Sequence, residues 1–296
     1  MVEHEVDTVV EVARTADQCA TAVRGTAYGR LEAVLRESSH HEELLALWVR
    51  LLVTVTPEDL AAEMVDELWR RDMSEWLVAI EHFLDYAHER RTRSLEAFVA
   101  EVVSWPWALQ VPFARIMLTT IAKSLPEDIL PSHYLVARGM LIEAAEEAGC
   151  PGLISALTGL VAQGWRQRDR PAMRLAFDLT RQVHRELPDR RTRHQAIAAF
   201  ALVLGQGRAQ EPVTVTTHGG ARTLSEHDDP TTAPGAERAT VVAARVVRHA
   251  ASGALERIDA ELADQAPGEQ ELVSVLLALT LAAATRLRND AHTCLP

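Results

Sequence analysis

Glu81, Asp85 and His88 are the residues of this chain best spaced for chemistry. At i, i+4 and i+7 they share one face of a helix. Two carboxylates and an imidazole in that arrangement suit iron, manganese or zinc. The set therefore implies a metal-dependent enzyme or a small-ligand binder. A second fragment, Glu37-x-x-His40 followed by His41, Glu42 and Glu43, has the spacing used on the helices of carboxylate-bridged iron sites. It spans a predicted helix end, and its counterpart is Asp85-x-x-His88 in place of a second Glu-x-x-His. Acid-rich helices produce such spacings on solvated faces, so the metal set stands as an alternative and no cofactor is expected.

Other catalytic arrangements find less support. No Gly-x-Ser-x-Gly elbow is present, and Cys150 sits between Gly149 and Pro151, where a turn residue is the ordinary explanation. Gly205-Gln206-Gly207 follows a predicted helix rather than a strand and lacks the Lys-Ser/Thr of a phosphate loop. Arginine supplies a stronger anomaly. Residues 166–193 carry nine arginines against four acids, and guanidinium forks match phosphates and carboxylates alike. Arg166, Arg168, Arg170, Arg190, Arg191 and Arg193 thus form a candidate anion, nucleic-acid or partner site. The alternative is an internal or intersubunit partner for the acidic N-terminal third, whose opposite charge the chain already contains. Trp105 and Trp107 flank Pro106 at a predicted bend, and exposed tryptophan is enriched at protein interfaces.

These residues need a scaffold, and the scaffold is expected to be helical throughout. Apolar residues recur at intervals of three and four along most of the 296-residue chain. In residues 2–24 the stripe reads Val6, Val9, Val10, Ala13, Ala16, Ala20 and Val23. Thr56-Pro57-Glu58-Asp59 is a helix start, with a capping hydroxyl, proline at the first position and acids in the first turn. Pro106 ends one helix and Pro112 is expected to open the next. The predicted organisation is an all-α irregular multi-helix bundle or array of αα-hairpins, about 12–14 helices in all. It comprises a helical body over 1–205, a long mobile loop over 206–236 and a C-terminal hairpin or triplet over 237–296. Within the loop, VTVTT has strand character but no identifiable pairing partner.

The scaffold turns on Leu272–Thr285, LVSVLLALTLAAAT, which is uncharged and apolar on every face. Such a helix is enclosed by protein or by lipid. Spanning a hydrocarbon core takes about 20 apolar residues. The uncharged run is shorter than that, so a buried central helix is expected and no membrane span. Its context repeats. RLEAVLRESSHHEELLALWVRL (30–51) aligns with RIDAELADQAPGEQELVSVLLAL (257–279) with one insertion, matching Arg30 to Arg257, Leu35 to Leu262 and Glu43-Leu44 to Glu271-Leu272. RRTR likewise occurs at 90–93 and 190–193. No tetratricopeptide, ankyrin or HEAT consensus can be written onto these segments. A hairpin placed beyond a long loop can also complete a neighbouring copy's core, which would make a dimer.

Charge and cysteine usage narrow the function classes. The net charge is −12, and residues 1–89 alone hold 19 acids and 7 arginines. That balance disfavours a non-specific nucleic-acid binder, since phosphates require local positive charge. Three dispersed cysteines and an acidic N-terminus without a signal-peptide pattern point to a reducing, cytoplasmic setting. The use of arginine for all but one basic residue fits a GC-rich bacterial genome. Together these features imply a non-enzymatic adaptor or regulatory protein that binds another protein.

Overall fold

The computed structural model describes residues 2–55, 95–165, 172–206, 213–217, 220–224 and 235–294. The fold is all-α, with one small β-hairpin. Among the described residues the helices are α1 (Val2–Arg24), α2 (Tyr28–Glu37), α3 (His41–Val55), α4 (Leu95–Ser104), α5 (Trp107–Ser124) and α6 (Pro131–Glu147). They continue with α7 (Ile154–Trp165), α8 (Ala172–Glu186), α9 (Arg190–Gly205), α10 (Gly235–Ala251), α11 (Glu256–Gln265) and α12 (Glu269–Cys294). Strands β1 (Val213–Thr217) and β2 (Gly220–Leu224) pair antiparallel, Val213 opposite Leu224 and Thr217 opposite Gly220. The chain divides into two compact units, 1–135 and 136–296.

In the first unit α1 packs on α2, α3 and α5, and α3 packs on α4 and α5. The α3 stripe Leu44, Leu45, Trp48, Leu51 and Leu52 is fully buried. The face of α1 that turns inward is Val12, Ala16, Cys19, Ala20 and Val23, whereas Val9 and Val10 are exposed. The expected stripe therefore holds for its last turns only, because residues spaced by three and four at the start of α1 fit either of two adjacent faces. Pro112 lies inside α5, which begins instead at Trp107 after Pro106. Proline at the sixth helical position removes one backbone donor and costs the bond to residue 108, and the buried residues that follow it, Phe113, Ala114 and Met117 among them, hold the helix in place.

In the second unit α12 is the centre. It packs on α7, α8, α9, α10 and β1, and Leu272, Val275, Leu276, Leu279, Ala283 and Leu287 are all excluded from solvent. Among the described residues one stretch, Glu269–Ala291, is long and apolar enough by length and composition to cross a membrane, and 67% of its apolar window is buried within the protein. Close approach explains the alanines. A side chain at Gly164 would put its Cβ 2.6 Å from Ala284 Cβ, so α7 and α12 cross at glycine against alanine. The hairpin lies within 206–236, a segment expected to be a loop. The strand VTVTT does have a partner, GARTL, two residues further on. That partner lacks the alternation of apolar and polar residues by which a strand is recognised, and β1 rests on α10 and α12.

The two hairpins matched by sequence are also built alike. Helices α2 and α11 are each ten residues long, and each is joined to the following long helix by three residues. Leu31 and Ile258 are buried, as are Leu35 and Leu262, Leu44 and Leu272, Trp48 and Leu276, and Leu51 and Leu279. The helix before each hairpin ends in the same cap. Thr26 and Gly253 have φ of 57° and 73°. The next amide, that of Ala27 or Ala254, donates five residues back to Ala22 O (2.8 Å) or His249 O (2.9 Å). This is the left-handed Schellman ending, for which glycine is the favoured residue.

Candidate functional site

Two arginines of the candidate cluster, Arg190 and Arg193, are structural rivets. Arg193, only 3% exposed, forms an ion pair with Glu269 at 2.7 Å. Its Nε donates to Leu187 O at 2.9 Å, and an Nη donates to Pro188 O at 3.3 Å. Arg190 donates to Pro267 O (2.7 Å) and Ala266 O (3.2 Å). These contacts fasten the start of α9 to the three-residue link between α11 and α12. The arginine side chain holds Glu269 below the usual carboxylate range, first through the hydrogen bond and then through charge. Arg286 does the same work at the other end of α9, donating to Leu204 O and to Gln206 O (2.9 Å) while pairing with Asp290 at 3.0 Å. The partners of Arg190 and Arg193 are therefore in the second unit itself, largely backbone carbonyls, and not in the acidic first third.

Arg24 repeats this pattern in the first unit. It donates to the carbonyls of Glu127, Pro126 (3.1 Å) and Ile129 (2.8 Å), tying α1 to the α5–α6 connection. Asp17, two turns earlier, accepts from the Ser132 amide at 2.9 Å and so caps α6 from a distance. Burial raises the Asp17 carboxyl, partly offset by its bonds to Ser132 and the charges of His133 and Arg24. Burial also lowers Arg24. A cavity of about 580 Å³ adjoins this cluster, lined by Thr21, Arg24, Thr119, Glu127 and Leu130 among others. Both threonine hydroxyls donate to helix carbonyls, of Asp17 and Arg115, and Arg24 is held by three more. The polar groups here serve the fold and do not converge on a ligand.

The remaining candidates divide clearly. Glu81, Asp85 and His88 lie outside the described residues, as do Arg166, Arg168 and Arg170. No group of three metal-ligating side chains occurs among the described residues. In the fragment Glu37–Glu43, Glu37 ends α2, and His40 lies 3.3 Å from Glu11 and 4.0 Å from Glu43. Trp105 and Trp107 are both half-buried. Trp105 meets Phe113 edge-on with ring centroids 5.3 Å apart, and Trp107 stands 5.4 Å from the His41 ring under the Arg36 guanidinium. Each tryptophan thus spends at least one face on this chain.

What is left open is one face of α8. Leu175, Leu179, Val183 and, just beyond, Leu187 turn inward. On the other side Phe177, Arg181, His184 and Arg185 follow at i, i+4, i+7 and i+8, all exposed. Arg185 also pairs with its neighbour Glu186 at 3.0 Å. Phe177 is 69% exposed and, with Val9 and Val10, completes the large exposed apolar side chains among the described residues. Arg191 is exposed as well, at the start of α9. The arginines are legible in the sequence, whereas Phe177 is marked there only by its place opposite the leucine stripe. No protein-family model, curated protein or solved structure matches the chain.

Proposed function

We propose that this protein is a helical adaptor or regulatory protein of the cytoplasm that acts by binding another protein. The observation that carries the reading is Phe177, a largely solvated aromatic ring on an arginine-bearing helix face. Exposing such a ring costs roughly 1.5–3 kcal/mol relative to burial, and nothing in the fold of α8 requires it. Aromatic and arginine side chains together are the typical anchors of protein interfaces. A partner of this surface carries an apolar pocket or ridge and acidic groups.

The reading is tested with immobilised wild-type protein and a Phe177→Asp variant, each exposed to extract from the native cell. A protein retained by the wild type and lost by the variant must then bind as a purified component with the same difference. Equal recovery of every component by both forms would remove the role assigned to α8. Stoichiometric iron, manganese or zinc in protein purified after metal-replete growth would turn the assignment toward an enzyme.

A further inference from the structure

We infer that the Phe177/Arg181 face of α8 receives the first turns of α1 from a second copy of this chain. The inference rests on the reading of α8 as a docking face and names what docks there. Among the described residues, the large apolar side chains left in solvent are three: Val9 at 58%, Val10 at 61% and Phe177 at 69% exposure. They fall on two helices of opposite charge. The first turns of α1 carry Glu3, Glu5 and Asp7 by sequence, and Glu11 beside the valines is exposed. Arg181 and Arg185 follow Phe177 one and two turns on along α8, Arg185 paired with Glu186, and Arg191 is exposed at the start of α9.

Each patch supplies what the other lacks. A valine pair gives a shallow apolar ridge for an aromatic ring, and the exposed Glu11 beside the valines is opposite in charge to Arg181 beside the ring. Each patch is exposed among the described residues of its own unit, and a contact with a second copy recovers that apolar cost. The segregation of charge that makes residues 1–89 strongly acidic and 166–193 strongly basic then orients the approach of two copies. Because the two surfaces differ, the contact either occurs twice across the two-fold axis of an isologous dimer or adds copies head to tail. Two single helix faces bury little area, which places the interface among the weak, salt-sensitive class.

Sedimentation velocity of the full chain, over micromolar to millimolar concentration at low and high salt, tests this. Wild-type protein should associate at low salt and dissociate at high salt. Phe177→Asp and Val10→Asp should each weaken association at least tenfold while leaving the circular dichroism spectrum and melting unchanged, since both side chains are exposed. An equimolar mixture of the two variants should recover a 1:1 complex, because one retains an intact α1 and the other an intact α8. Arg181→Glu should behave as Phe177→Asp does and serves in its place if that variant is misfolded. A wild-type chain that stays monomeric at low salt overturns the inference, and so does association that survives both substitutions or a mixture that fails to complement. A monomer that still binds a different protein through Phe177 would overturn the self-contact and leave the adaptor reading standing.

Discussion

The indole Nε1 of Trp165 donates a 2.9 Å hydrogen bond to the backbone oxygen of Ala284, across the buried crossing of α7 and α12. The adjacent Gly164 lets the two helices approach closely enough for this bond to form. Gly164→Ala should therefore be destabilising, although alanine is normally the better helix former. Overpacking of this kind costs about 1–3 kcal/mol, and Trp165→Phe, which removes only the donor, should cost about 1 kcal/mol. Urea denaturation of the three proteins measures both. A Gly164→Ala variant as stable as wild type would show that the crossing is not tight.

Arg193 and Glu269 form a pair whose two members should respond unequally. Arg193→Ala removes a buried guanidinium that satisfies two carbonyls and a carboxylate. Hydrogen bonds to charged groups contribute about 1.5–3 kcal/mol, so a loss of that order or above is expected in chemical denaturation. Glu269 is largely exposed, and Glu269→Gln should cost distinctly less. Its carboxyl is lowered in the folded protein. Its contribution is thus present above the ordinary carboxylate value of 4.5 and is lost as pH falls below it. The Gln variant should converge with wild type under acid.

Asp17 has the opposite sign. Burial raises its folded value above 3.8, so the favourable, protonated contribution is complete below the unfolded value and is lost as pH rises through the folded one. Asp17→Asn keeps an oxygen for the Ser132 amide without the buried charge. It should be at least as stable as wild type at neutral pH, with that advantage vanishing below about pH 4. Asp17→Ala, which removes the acceptor, should be destabilised by about 1 kcal/mol. Melting curves across the acid-to-neutral range separate the two variants, and a strongly destabilised Asp17→Asn would mean that the charge on Arg24 and His133 outweighs burial.

Thr26 and Gly253 occupy the same left-handed position in two like caps. A side chain there costs roughly 1–2 kcal/mol, offset in part by the greater chain entropy of glycine. Thr26→Gly should raise stability by about 0.5–1 kcal/mol, and Gly253→Ala should lower it by a similar amount. Opposite shifts of the two denaturation midpoints are the expected signature of equivalent caps.

The legibility of this fold in its sequence follows the kind of interaction involved. Helix ends at Pro106 and Gly149 are visible because one residue's covalent geometry decides each of them. Burial of Leu276 is visible because no face of α12 offers water an alternative. The matched hairpins are visible because buried positions constrain residue type. The rivets of Arg24, Arg190 and Arg193 are not. Their acceptors are mainly carbonyl oxygens of Pro126, Ala266, Pro267 and Leu187, and every residue has a carbonyl. A cluster of arginines consequently looks like a binding site when part of it is scaffolding. The inward face of α1 is ambiguous for a different reason, since valines and alanines spaced by three and four satisfy two neighbouring stripes.

The central position of α12 also sets a schedule. Trp165 and its acceptor Ala284 are separated by 119 residues, so the ribosome delivers them about 6–24 s apart at ordinary elongation rates of roughly 5–20 residues per second. Throughout that interval α7, and α9 once it is made, lack α12, a helix on which both of them pack. The core of the second unit is thus completed only when α12 is made, and a ribosome that stalls before residue 269 leaves a chain without its central helix.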